Sequence, residues 1–186
     1  TTSVNLSGWR MDDSSASFAS SVELIGVPTL PVGASAIFFE GTDEDAFELA
    51  FAQAWFGQNL FDAGFFFGHY NGSGVGLSTG GDEVALFDAA GNLVTGVAFG
   101  NSPSTAPYAT FDNTSGLGSA TKPFPVVTTL SAVGVNGAFA AVQVDEIGSP
   151  GTIGAVVIEP DPCRWRSPRS HRGRPGTPPT ARTGSS

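Results

Sequence analysis

The chain has 186 residues, with 25 glycines, 13 prolines, 15 phenylalanines and a formal net charge of −9. Acidic residues outnumber basic ones by 17 to 8, a balance that argues against a nucleic-acid binder, which needs clustered Lys and Arg to displace phosphate counterions. Glycine stands at about twice its usual share of ~7 %, which argues against a helical bundle and for short strands joined by many turns; no run of ~18 apolar residues occurs, so no membrane-spanning helix is expected.

In chain order, Leu6-Ser7-Gly8-Trp9 comes first, with a tryptophan at a strand start where it is expected to fill the space between two sheets. Short apolar or alternating runs follow at 21–27 (SVELIGV), 36–40 (AIFFE), 65–70 (FFFGHY), 83–88 (EVALFD), 93–99 (LVTGVAF) and 138–144 (AFAAVQV). Each is bounded by Gly, Pro, Asn, Asp or Ser, as strands are. The connector Ala89-Ala90-Gly91-Asn92 supplies residues that accept positive φ, so 83–99 is expected to be a hairpin. One segment breaks the β rhythm. Between 45 and 56, Phe47, Ala50, Phe51, Ala54 and Trp55 fall at helical spacing, with Thr42 as cap, Asp43, Glu44, Asp45 and Glu48 at the positive end of the dipole, and Gly57 as terminator. One helix packed on a β-sandwich is the simplest architecture.

The charge is uneven. Residues 1–160 hold sixteen acids against Arg10 and Lys122, a balance of −14, whereas 161–186 hold Asp161 and six arginines, a balance of +5. The expected organisation is a folded body at 1–157 and an Arg/Pro-rich, disordered tail at 158–186 with too little apolar area to offset the entropy of ordering it. The five arginines between 164 and 174 suit an arm for acidic polymers or an extension with no role in the domain. Cys163, the single cysteine, lies in this tail, so no intrachain disulfide is available to the body.

Four kinds of chemistry are readable. Gly76-Leu77-Ser78-Thr79-Gly80 matches the G-x-S-x-G elbow of serine hydrolases, with Ser78 as nucleophile, Asp82 or Asp88 as acid and His69 or His171 as base. Against it, Gly81-Asp82-Glu83-Val84 leads into a strand where the elbow needs a helix, which favours a glycine-rich turn. His69 has no Cys or second His at zinc spacing and reads as a packed or surface residue. Asp43, Glu44 and Asp45, with Glu48, and separately Asp12 with Asp13, could coordinate calcium or act as a glycosidase carboxylate pair; no D-x-D-x-D-G loop is present, and helix capping accounts for the first group. Trp9, Trp55, Phe65, Phe67 and Tyr70 could form a sugar-stacking platform, although most aromatics of so Phe-rich a chain must be core.

Several segments together resemble the bacterial lamin-tail domains. They are Asn5-Leu6-Ser7-Gly8-Trp9-Arg10-Met11-Asp12-Asp13, Leu30-Pro31-Val32-Gly33-Ala34-Ser35-Ala36-Ile37-Phe38-Phe39-Glu40, Trp55-Phe56-Gly57, Gly74 through Val84 with Leu86-Phe87-Asp88-Ala89-Ala90-Gly91-Asn92, and Glu146-Ile147-Gly148-Ser149-Pro150-Gly151. The match runs from Thr1 to about Gly151. It implies an immunoglobulin-like β-sandwich of secreted or envelope proteins, with the LSGW and GD-V-L-D--GN segments architectural and no catalytic residue carried over. It also implies one or two further strands ahead of Thr2-Ser3-Val4. Without them a sheet edge is exposed, the ground for expecting self-association. Val157 to Pro162 resembles the approach to a Pro-Glu-Pro sorting signal, but no apolar helix follows it, so anchoring is not expected.

The expected function is therefore a non-catalytic extracellular or cell-envelope module for adhesion or for protein or glycan association. It has no required cofactor, calcium excepted as an option, and forms an edge-paired homo-oligomer. The alternative is a small hydrolase.

Overall fold

A computed structural model describes residues 2–57, 65–72, 74–112 and 118–151. His171, Cys163 and the whole tail at 158–186 lie outside the described residues, as does the end of the body beyond 151. Among the described residues the elements run β1 (Val4–Asn5), β2 (Arg10–Asp12), β3 (Val22–Glu23), β4 (Thr29–Leu30), β5 (Ala36–Glu40), α1 (Glu44–Phe56), β6 (Phe66–Tyr70), β7 (Asp82–Phe87), β8 (Leu93–Phe99), β9 (Tyr108–Ala109), β10 (Val126–Val127), β11 (Phe139–Ala140) and β12 (Glu146–Gly148). The fold is mainly β with one helix and several sheets, an arrangement consistent with a β-sandwich.

The principal sheet has the order β10-β8-β7-β2-β3. Its centre is the expected hairpin: β7 and β8 pair antiparallel from Asp82 opposite Phe99 to Phe87 opposite Leu93. The turn closes on Asp88, whose Oδ1 accepts from the backbone N–H groups of Ala90 and Asn92 at 2.9 and 2.8 Å, while Gly91 takes φ 86°. Strand β7 is apolar on both faces. Ala85 and Phe87 pack with Ala98 and Phe124 on one side, while Val84 and Leu86 point to the other. A strand covered on both faces loses the polar alternation of a half-exposed one.

A smaller sheet pairs β5 with β6 in parallel, from Ala36 opposite Phe66 to Glu40 opposite Tyr70. Parallel neighbours need a crossover, and α1 supplies it. This β-α-β unit lies outside the antiparallel hairpin pattern of a plain sandwich. The helix packs on the outer face of β5–β6 through a run of rings: Phe47 stacks on Phe39 at 3.9 Å between centroids, and Phe51 meets Phe67 edge-on at 5.5 Å. Trp55 and Ala52 are its buried residues.

Three local expectations are corrected here. The N-cap is Asp43, whose Oδ1 accepts from Ala46 N–H at 3.0 Å, in place of Thr42. Ala50 is exposed, although its spacing placed it on the buried face. The helix is apolar nearly all round, so periodicity alone cannot select the face that packs. The expected strand at 138–144 is limited to Phe139–Ala140, because Val142 and Gln143 N–H donate to the carbonyls of Trp55 and Ala54. Those amides satisfy last-turn carbonyls of α1 that have no partner within the helix. Gly57 ends the helix at φ 70°, as expected.

The run at 21–27 also divides. Val22–Glu23 pairs with β2 in the principal sheet, Leu24 N–H donates to Trp9 O at 2.9 Å, and Ile25 exchanges two 2.9 Å bonds with His69 of β6. One segment therefore passes from one sheet to the other within three residues. The remaining strands form a β1–β4 pair and a small β11-β12-β9 sheet.

Candidate functional site

Most of the carboxylates singled out from the sequence, and Ser78, form turns and caps in the structure. Ser78 is exposed in the loop that ends at β7. Its Oγ accepts from Gly80 N–H at 3.2 Å, its carbonyl accepts from Gly81 N–H at 3.2 Å, and its own N–H donates to Asp82 Oδ2 at 2.8 Å. Asp82 also accepts from Glu83 N–H at 2.8 Å. The N–H groups of Ser78 and then Glu83 hold the Asp82 carboxyl below its usual value. Gly81 takes φ 106°, a conformation that suits glycine, and β7 begins at the next residue. The G-x-S-x-G segment thus builds a turn into a strand, with Ser78 and Asp82 joined through the backbone. Asp88 serves the hairpin turn; the Asn92 side-chain amide, then Asn92 N–H, lowers its pKa.

His69 is directed elsewhere. It lies on the helix side of β6, where its Nδ1 stands 2.6 Å from Glu44 Oε1. This pair ties the first turn of α1 to the sheet beneath it. Of the calcium candidates, Asp43 caps α1, Glu44 faces His69, and Asp45 is exposed. Among the described residues no group of three or more His, Cys, Asp and Glu side chains is arranged to hold a metal ion. Asp12 is fully buried: it accepts from Ser17 N–H at 2.7 Å, from Ser20 Oγ at 3.3 Å and from Ser15 Oγ. Asp13 Oδ1 accepts from Ser15 N–H at 3.1 Å. These two acids organise the serine-rich loop between β2 and β3. Arg10 ties the same loop through Ser21 Oγ at 2.8 Å, and Lys122 through Ser14 O at 2.7 Å while also pairing with Glu83 at 2.7 Å.

The five platform aromatics separate into two groups. Trp55, Phe65 and Phe67 belong to the ring cluster under α1. Trp9 and Tyr70 face a cavity of about 450 Å³ between the principal sheet and the β5–β6 sheet. On one wall stand Met11, Val84 and Leu86; on the other stand Ala36 and Phe38, with Tyr70. Leu24 lies where the chain crosses between the sheets, and Val4, Leu6, Leu30 and Leu77 complete the lining. Gly68 is required on this side, because a Cβ there would overlap Ile25 O and the Phe38 ring.

The cavity is open to solvent on one side, where its lining residues Val4 and Leu77 are exposed. Burial, and then the neighbouring Glu40 carboxylate, raises the Tyr70 pKa, so its phenol stays protonated. Of the residues proposed for chemistry from the sequence, Trp9 and Tyr70 line this space; the serine, histidine and carboxylate candidates do not. The signal that marks it is the double apolar face of β7, with Val84 and Leu86 lining the cavity while Ala85 and Phe87 pack behind.

No protein-family model, curated protein or solved structure matches this chain. Among the described residues no helix is long and apolar enough to cross a membrane.

Proposed function

We propose that the chain is a non-catalytic association module of the cell exterior, a lamin-tail-like, immunoglobulin-like sandwich into which the β5-α1-β6 crossover is built. The observation that carries this reading is the division of labour among its side chains. Ser78, Asp82, Asp43 and Glu44 are each held in a turn, a cap or a helix-to-sheet pair, whereas the cavity between the sheets is lined mostly by apolar side chains. Hydrolysis needs a nucleophile, a base and an oxyanion site converging on one point. The sequence resemblance and the −14 body support an exterior location. The edge strands β1 and β10 carry exposed Val4 and Val126, which suit pairing with a second copy.

Incubation with nitrophenyl esters, phosphoesters and glycosides tests the reading, and no turnover is expected. Turnover abolished by Ser78→Ala overturns it in favour of an esterase. Turnover abolished by Asp43→Asn or Glu44→Gln overturns it in favour of carboxylate chemistry.

A further inference from the structure

We propose that the inter-sheet cavity binds one uncharged amphiphile of the fatty-alcohol class, a hydrocarbon body with a single hydroxyl head. This rests on the association-module reading and narrows it to a ligand. Its volume, about 450 Å³, falls in the range of roughly 300–1,000 Å³ that small-molecule sites occupy. The lining side chains offer two strong polar atoms, the Trp9 indole N–H and the Tyr70 hydroxyl.

That inventory discriminates among occupants. Water needs two to four polar partners to be held in a cavity, and little of this lining supplies them. A sugar would bury several hydroxyls without partners. A peptide would carry a backbone donor and acceptor per residue into a space with two. A fatty acid would place its carboxylate near Glu40, which already acts on Tyr70, inside a body of net charge −14. A single hydroxyl head, by contrast, matches in number and kind the polar groups that Trp9 and Tyr70 bring to the lining, and a hydrocarbon body suits Met11, Phe38, Val84 and Leu86.

The test uses the full chain and the neutral dye N-phenyl-1-naphthylamine, which brightens in apolar surroundings. One dye per chain is expected, displaced by 1-dodecanol at a concentration at least tenfold below that of dodecanoate. Ala36→Phe and Val84→Phe each place a ring in the cavity and are expected to weaken dye binding tenfold or more while unfolding stays cooperative. Tyr70→Phe removes one hydrogen bond and is expected to weaken 1-dodecanol about fivefold relative to the dye. If the filling variants fail to fold, the wild-type chain decides alone: its melting temperature is expected to rise with 1-dodecanol and not with dodecanoate.

Absence of saturable dye binding overturns the proposal, as does equal displacement by dodecanoate or unchanged binding in folded Ala36→Phe and Val84→Phe. Those results leave the module reading standing. Ser78-dependent turnover with dye binding intact does the reverse: it removes the module reading and leaves the cavity assignment.

Discussion

Removing the Asp12 carboxylate is expected to cost more stability than any other single polar change in the β2–β3 region. Asp12 is 0 % exposed, and its oxygens accept from Ser17 N–H, Ser15 Oγ and Ser20 Oγ. Hydrogen bonds to a charged group contribute about 1.5–3 kcal/mol each, and a buried donor left unpaired costs about 1–3 kcal/mol. Ser15 and Ser20 are exposed, so their hydroxyls recover water when the acceptor is lost. Ser17 is half-buried, and its N–H recovers less. Counting the Ser17 bond fully and the serine hydroxyls in part, Asp12→Ala should lose about 3–4 kcal/mol of the 5–15 kcal/mol typical of a domain. At about 2–4 °C per kcal/mol for a chain of this size, the melting temperature should fall by roughly 6–16 °C. Asp12→Asn keeps one oxygen acceptor and should lose about half as much. Thermal unfolding followed by circular dichroism, with guanidinium titration for the free energy, provides the measurement. A loss below about 1 kcal/mol in Asp12→Ala would refute the reasoning, because the loop would then be held without its buried acceptor.

Two further outcomes are expected. The Asp82 pKa is depressed in the fold, so its contribution is present above the ordinary carboxylate value and disappears as pH falls through the lower folded value. The melting-temperature gap between wild type and Asp82→Asn should therefore be widest near neutrality and close as the pH is lowered from about 4 towards 2; a gap constant over that interval contradicts the assignment. At Gly96 a Cβ would overlap the Phe124 ring, which is buried, so Gly96→Ala should cost about 1–3 kcal/mol by guanidinium titration. Combining it with Phe124→Leu should cost less than the sum of the two single changes, and strict additivity would show that ring overlap is not the cause.

The parts legible in the sequence are those whose geometry is local. The β7–β8 hairpin, strand β5, the helix and its Gly57 terminator stand where alternation, turn residues and spacing put them, because each rests on neighbours within a few positions. The turn at 76–80 is likewise legible, since the bonds of Ser78 run to Gly80, Gly81 and Asp82, although Ser102 N–H also donates to Thr79 O from farther along the chain. What escaped depends on partners distant in the chain. The run at 138–144 has the composition of a strand, but its amides cap a helix more than eighty positions earlier. Nothing in the identity of Ile25 says that it pairs with His69 rather than continuing beside β2. The sequence leaves His69 as a packed or surface residue and gives Glu44 to the helix dipole or to calcium; the contact between them follows only from the crossover. The cavity was the least legible feature, because it is a space between residues and belongs to no single segment.

The short passage of chain from Glu23 to Ile25 has a mechanical consequence. Hydrogen bonds on both sides of one peptide stretch act as a rivet between the two sheets, fixing their lateral offset in the way a pin fixes two plates. Sliding one sheet by a single residue would break the Ile25–His69 pair or the bonds from β3 to β2, and would turn Leu24 away from its neighbours. A tensile load applied across the sheets would therefore meet its resistance at this point.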